Sequence, residues 1–180
     1  MSIDALAAIL APPSEPREAG RESEWARVEE ELGVRLPEDY KLFVQVYGSG
    51  TIDDFIVVLN PFSANRNINL LEAGRLRMQA VAELRSDHPD DYRHDAFPAT
   101  GGLLPFAITD NANVFYWKTN GRPDAWTVVV YEGRGPAFAE FGGGMSAALA
   151  ALLSGSVRFD VLPRDFPSAR PTFRGIPSRK

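Results

Sequence analysis

The stretch ELGVRLPEDYKLFVQVYGSG, residues 31–50, constrains the fold of this 180-residue chain more than any other segment. Gly33 can adopt the left-handed conformation that ends a helix, and Pro37 suits the first position of the next one. Glu38 and Asp39 follow in the first turn, where carboxylates meet the positive end of the helix dipole. Four apolar residues then recur at helical spacing: Tyr40, Phe43, Val44 and Tyr47. The segment therefore predicts a helix with a buried aromatic face, stopped by the Gly-Ser-Gly run.

Other segments also show the apolar spacing of helices. Residues 3–10 predict a short helix before a proline-rich linker, and residues 22–33 place three apolar side chains on one helical face. Asn69 and Glu72 have the spacing of a capping box. We expect the inner face of the helix that they open at Ala73, Leu76, Ala80 and Leu84. The GGGMSAALAALLSG run predicts a last helix, with Ser146 as a candidate cap.

The part of the chain between residues 103 and 141 has the pattern of an antiparallel meander. Its four apolar runs are separated by short polar turns: residues 103–109, 114–119, 126–132 and 137–141. A buried strand is expected at FIVVL, residues 55–59. VRFDVL, residues 157–162, could add another before a loosely held tail. Helices that cover one face of a mainly antiparallel sheet predict a single α+β domain.

The chain divides into three parts with different charge. We expect an N-terminal helix and linker at residues 1–21, the domain at 22–155, and a Pro/Arg-rich C-terminal extension at 156–180. From Arg158 onward there are six basic and two acidic residues. That end therefore carries +4, and the rest of the chain carries −9 of the total −5. An acidic body disfavours nucleic acid and favours basic partners, although a solvated acidic surface accounts for the charge equally well.

Composition excludes several classes of protein. The absence of cysteine excludes disulfides, thiolate catalysis and cysteine metal sites, and a reducing cytoplasm is the simplest setting. No apolar run approaches the ~20 residues needed to cross a bilayer, so no membrane association is expected. The N-terminus lacks the basic start of a secretion signal.

Two patterns in the sequence are candidate sites of chemistry. His88 and His94 lie among aspartates in SDHPDDYRHD and could hold a divalent metal, but an acidic surface loop explains them as well. The glycines of GGGMS could cradle a phosphate at a helix N-terminus, but the Lys-Ser of a Walker loop is missing, and a strand-to-helix turn accounts for them. We therefore expect no metal and no cofactor.

Three motifs together resemble the SUKH superfamily, the Smi/Knr-like domain. The first runs from Glu-Leu-Gly through Leu36-Pro37-x-Asp39-Tyr40 to the glycines after Tyr47. The second is LLPFAITDNANVFYW, residues 103–117, and the third is FAEFGGGMSAALAALLSG, residues 138–155. The resemblance covers roughly residues 22–155. One departure is the turn after Pro-Phe-Ala, where the family often has a glycine and this chain has Asp-Asn-Ala-Asn. Asn tolerates the left-handed conformation, so the turn can survive.

The resemblance implies a single α+β unit without a general set of catalytic residues. Its bacterial members are typically immunity proteins, which bind and block a toxin domain made by their own cell, often a nuclease. Its fungal members are regulators of cell-wall synthesis. We therefore expect a non-catalytic domain whose partner is a protein, most concretely a basic toxin domain. An adaptor that binds a cellular enzyme is the alternative, and a metal-dependent enzyme using His88 and His94 comes third.

Loop residues beside rigid strands are the candidates for the partner-binding surface, since binding residues often lie there. They are Asp53, Asp54, Asp110, Asn111, Asn113 and Asp124. The alternative role for all six is ordinary turn chemistry, because Asp and Asn are turn formers.

Overall fold

The computed structural model describes residues 3–176. Residues 1–2 and 177–180, the outermost parts of the two predicted terminal segments, lie outside it. The described chain contains five α-helices: α1 Ile3–Ala7, α2 Glu22–Leu32, α3 Glu38–Tyr47, α4 Leu70–Asp87 and α5 Met145–Leu153. A short 3-10 helix lies at Pro123–Ala125. None of the described helices is both long and apolar enough to span a bilayer.

The strands of the described chain form one antiparallel sheet. They are β1 Gly50–Ile52, β2 Ile56–Val58, β3 Leu103–Thr109, β4 Val114–Lys118, β5 Thr127–Tyr131, β6 Phe138–Phe141 and β7 Phe173–Gly175. Their spatial order is β6-β5-β4-β3-β2-β1-β7, so the last strand of the chain pairs with the first. The predicted meander corresponds to β3–β6, and the α+β class is confirmed.

Helices cover both faces of the sheet, whereas the sequence predicted that they cover one. The main core contains side chains of α1, α3 and α5 packed against residues such as Phe106, Phe115 and Trp117. A smaller cluster lies on the opposite face, where Val81 of α4 packs against Leu103, Tyr116, Val129 and Tyr131. The sheet is therefore the middle layer, and α4 alone among the long helices packs against the smaller cluster.

The stretch at residues 31–50 proves to be the centre of the scaffold. All four residues of its aromatic stripe are buried, as predicted. The Tyr40 hydroxyl donates to the Leu59 carbonyl at 2.6 Å, and the Tyr47 hydroxyl donates to the Leu10 carbonyl at 2.7 Å. Gly33 ends α2 with a φ of 70°, as expected. The helix thus anchors both the end of β2 and the N-terminal segment.

The end of this stretch differs from the prediction. Gly48 ends α3 with a φ of 65°, and a side chain there would collide with the Arg17 carbonyl. Gly50, predicted as part of the stop, is instead the first residue of β1. Its pairing partner across the sheet is Gly175 of β7. The two glycines therefore let the backbone at Arg17 and strand β7 approach this part of the chain closely.

The C-terminal extension is held against the sheet over its described length. Residues 157–162 form no strand, which makes the VRFDVL prediction wrong; they turn, with Phe159 and Leu162 buried. The strand of this region is β7, which pairs with β1 through three residues. The predicted loose tail is therefore wrong for residues up to 176. The physical reason is that Phe159 and Phe173 of this segment pack into the main core and hold the segment in place.

The inner face of α4 also differs from the prediction. Asn69 caps the helix through the backbone N–H groups of Leu71 and Glu72, as expected. Of the four predicted positions, Ala73 is buried as expected, whereas Ala80 is exposed, Leu76 is 65% exposed and Leu84 is 37% exposed. The buried residues are Leu70, Ala73 and Gly74. Gly74 faces Pro105 of β3, where an added Cβ would lie 3.6 Å from the proline ring, so the contact has room for a small side chain only.

Candidate protein-binding surface

Three hairpin turns meet at one end of the sheet. The Asp110 backbone N–H donates to the Phe55 carbonyl at 3.0 Å, which joins the β3–β4 turn to the β1–β2 turn. The Gly133 N–H donates to Asn113 Oδ1 at 2.9 Å, which joins the β5–β6 turn to the β3–β4 turn. We call four exposed acidic or amide residues at these tips the hairpin-tip surface: Asp54, Asp110, Asn111 and Glu132; Arg134, also exposed, lies on the same β5–β6 turn. The sequence candidates did not include Glu132, although it follows a strand directly, as Asp110 does.

Two sequence candidates at this end are part of the scaffold. Asn113 is 2% exposed, and its Nδ2 donates to the Val161 carbonyl at 2.7 Å while its Oδ1 accepts the Gly133 N–H. The Asp53 carboxylate accepts the backbone N–H of Ser168 at 3.0 Å and that of Thr172 at 2.8 Å. Both side chains therefore tie the C-terminal segment to the hairpins.

Asp124 lies at the other end of the sheet, after β4, and the structure does not bring it to the hairpin-tip surface. Its Oδ1 accepts the Glu38 N–H at 2.8 Å, so it caps α3 from a distance. Asp39 plays the same part for α5, because its Oδ2 accepts the Ser146 N–H at 2.8 Å. Gly144 is the cap residue of α5 rather than Ser146. The Asp39 carboxylate thus occupies the helix end where a phosphate could have bound.

The β3–β4 turn keeps its shape without the glycine that the family often has there. The left-handed residue is Ala112, with a φ of 72°, rather than one of the two asparagines. Asn111 Oδ1 accepts the Thr109 hydroxyl at 2.6 Å, and the Asn113 N–H donates to the same hydroxyl at 2.8 Å. These bonds fix the turn and hold Asp110 and Asn111 outward.

The carboxylates on the hairpin-tip surface differ in whether they have an ion-pair partner. Asp54 Oδ2 pairs with Arg174 at 3.0 Å, with both side chains largely exposed. An exposed pair of this kind adds little stability and exchanges readily with another partner. Asp110 and Glu132 have no ion-pair partner among residues 3–176. Those two carboxylates are therefore the ones most available to an external cation.

The two histidines have different surroundings. His94 Nδ1 lies 2.8 Å from the Tyr131 hydroxyl, and its Nε2 lies 3.0 Å from Glu140 Oε1. Burial raises the pKa of Glu140, but bonds from Lys118 and His94 outweigh it, so that the pKa lies below its ordinary value. His88 is exposed at the end of α4. Within the described residues, no three His, Asp or Glu side chains come together as metal ligands.

Comparison with protein families gives a match to this chain. The protein-family model described as SUKH_6, SMI1-KNR4 cell-wall, matches residues 22–141, which is two thirds of the chain. The matched region begins with α2 and ends with β6. No curated protein and no solved structure matches the chain significantly.

Proposed function

The chain belongs to the SUKH (SMI1-KNR4) family, and on that premise we propose that it is an immunity protein, which binds and neutralises a toxin domain made by its own cell. The structural observation that supports this proposal is the hairpin-tip surface, where Asp110 and Glu132 stand unpaired, within the described chain, on turns fixed by hydrogen bonds. Binding, not catalysis, is the use that such an arrangement favours. The cytoplasm is the setting in which a cell meets its own toxin.

The proposed mechanism is occlusion of a basic groove. A nuclease toxin binds its substrate through Lys and Arg side chains that neutralise phosphates. Carboxylates on the hairpin tips can take the place of those phosphates and steer the encounter through complementary charge. Because backbone hydrogen bonds already hold the turns, little conformational entropy is lost when the complex forms.

The partner is identified first. The product of the gene immediately upstream is co-expressed with this chain, and growth rescue from its toxicity is measured together with copurification. Rescue with a stable complex supports the immunity function. Capture of a non-toxic cellular enzyme instead would replace immunity with the role of an adaptor.

The surface is then tested by charge reversal. Asp110→Lys together with Glu132→Lys should weaken toxin binding at least tenfold and reduce rescue, because two attractive charges become repulsive. Glu30→Lys together with Glu31→Lys makes the same change in net charge on the exposed side of α2 and serves as the control. Equal losses in the two variants would show that only net charge matters, and no loss in the first would place the interface elsewhere.

A further inference from the structure

A second site lies on the face of the sheet that α4 covers. A cavity of about 190 Å³ opens between the helix and strands β4 and β5. Its walls are largely apolar and are formed by residues such as Ala80, Val81, Val114 and Tyr131. At about 30 Å³ per water, the space corresponds to roughly six waters or a compact organic group of about ten non-hydrogen atoms.

Arg77 gives the cavity a positive charge. It lines the cavity at a helical position where α4 faces the sheet, while its neighbour Leu76 points to solvent. The guanidinium donates to the Ala73 carbonyl at 2.9 Å, and no carboxylate within residues 3–176 pairs with it. Burial lowers the pKa of Arg77. An arginine held inside while a leucine is left outside breaks the local pattern, and such breaks concentrate at functional sites.

Tyr116 supplies a second donor. The side chain is 4% exposed and lines the cavity, and its hydroxyl has no hydrogen-bond partner within the described part of the chain. Burial raises the pKa of this hydroxyl, and the charge of Arg77, which lines the same cavity, opposes that rise. The hydroxyl opens onto the cavity and is not sealed in the core, so a ligand held in the cavity can accept a hydrogen bond from it.

We infer that this cavity binds a carboxylate carried on a small apolar group. The planar fork of the Arg77 guanidinium matches a carboxylate, and the Tyr116 hydroxyl can donate to the same oxygens. The aromatic and aliphatic walls receive the hydrocarbon part. Glu132 stands at the rim, with its carboxylate turned toward Gly135 of its own turn. The lining has one arginine, and His94, which also lines the cavity, is already hydrogen-bonded to Tyr131 and Glu140, so the site suits a single negative charge better than a phosphate dianion. The cavity shares Glu132 with the hairpin-tip surface, but the inference does not rest on the proposed immunity function.

The test is a titration of the full chain followed by ¹H–¹⁵N NMR. Phenylacetate should shift the amide signals of Ala112, Val114 and Gly133, whereas its neutral isostere phenylacetamide and the cation phenethylamine should leave them in place. Tighter binding of phenyl phosphate than of phenylacetate, or equal binding of the amide, would overturn the inference.

Variants locate the contact. Arg77→Gln should weaken phenylacetate binding on the order of tenfold or more, because it removes a charge-assisted bidentate bond. Tyr116→Phe deletes a single hydroxyl and should weaken it several-fold, and it keeps the inference testable if the arginine variant folds poorly. Arg75→Gln, on the exposed side of the same helix, is the control and should bind as the parent does. Binding that neither cavity variant changes would overturn the assignment.

The source of the carboxylate is distinguished in the same titration. A short peptide ending in Phe is compared with its C-terminal amide. If the free-acid peptide binds more tightly than phenylacetate, the natural ligand is a peptide C-terminus. If phenylacetate binds as tightly or more tightly, it is a free small acid. Both outcomes support the carboxylate site, whereas equal binding of the acid and amide peptides contradicts it.

Discussion

The Asp39 carboxylate joins two helices, since it belongs to the first turn of α3 and caps the N-terminus of α5 at Ser146. Burial raises its pKa above the ordinary 3.8, although N–H bonds from Ser146 and Tyr40 oppose the rise. A raised folded-state pKa means that the charged form is favoured less in the folded chain than in the unfolded one. The stability that this group contributes is therefore greatest in acid and falls as the pH rises through the folded pKa.

Two substitutions at Asp39 separate the cap from the charge. Asp39→Ala removes the acceptor of the Ser146 N–H and should lower the free energy of unfolding by about 1–2 kcal/mol. Asp39→Asn keeps an acceptor oxygen without the ionisation and should stay within about 1 kcal/mol of the parent at pH 7. Urea denaturation at pH 7 and pH 4 measures the free energy of unfolding of both variants. Relative to the Asn variant, the parent should be more stable at pH 4 than it is at pH 7. If acid instead lowered the stability of the parent relative to Asp39→Asn, that result would contradict the direction of the pKa shift.

Two neighbouring asparagines should respond differently to truncation. Asn113→Ala deletes the buried bonds to Val161 and Gly133, and should lower the free energy of unfolding by about 2–3 kcal/mol. Asn111→Ala, in the same turn but exposed, should cost about 1 kcal/mol or less. Chemical denaturation of the two variants provides the comparison. Equal losses would show that the turn as a whole, and not the buried side chain, carries the stability.

Residue roles at the turns were the least predictable part of the site. Asp and Asn serve as turn formers, as caps and as interface residues, and the local sequence is the same in each case. What decides among them is the distant partner: residues 168 and 172 for Asp53, Val161 for Asn113 and Glu38 for Asp124. Asn113 and Val161 are 48 positions apart in the chain, and Asp53 and Thr172 are 119 positions apart. No local sequence pattern records partners at such distances.

At the scale of elements, the rotation of α4 can be tested directly. Leu70→Ala removes a side chain that is 1% exposed and should lower the free energy of unfolding by about 2–4 kcal/mol. Leu76→Ala removes the same atoms from a side chain that is 65% exposed and should change it by about 0.5 kcal/mol or less. Thermal and urea denaturation of the pair check this. A larger loss at Leu76 would mean that α4 presents its leucine face inward after all.

The predictability of each element follows from how local its signal is. β3 to β6 are joined by short polar turns and carry continuous or alternating apolar runs, so their pairing could be predicted from neighbouring residues. β1 and β7 have three residues each, and both contain glycine. Their pairing joins positions more than 100 residues apart. Of the predicted α4 face, Ala73 is buried, but the buried side of the helix runs through Leu70, Ala73 and Gly74 and not through Leu76 and Leu84, because the position of the helix on the sheet depends on contacts that its own spacing does not record.

At the scale of the whole molecule, the folding unit extends beyond the region that the family match covers. Leu6 and Leu10 are fully buried in the main core, and the Tyr47 hydroxyl donates to the Leu10 carbonyl. α5 and the C-terminal segment contribute to the same core after residue 141, through residues such as Leu149 and Phe159. Tyr47 of α3 thus holds a segment that the family match leaves out.

Removal of residues 1–21 should therefore destabilise the protein severely. Truncating one buried leucine costs about 2–5 kcal/mol, and a domain has only about 5–15 kcal/mol in total. Loss of both Leu6 and Leu10 together with the bond to Tyr47 should consume most of that margin. Circular dichroism melting and NMR signal dispersion should show a chain that is largely unfolded at 37 °C. The double substitution Pro12→Ala and Glu15→Ala, at exposed positions of the same segment, should melt within a few degrees of the parent. If the chain without residues 1–21 also melted within a few degrees of the parent, the N-terminal helix would pack on the domain without contributing to the stability of its core.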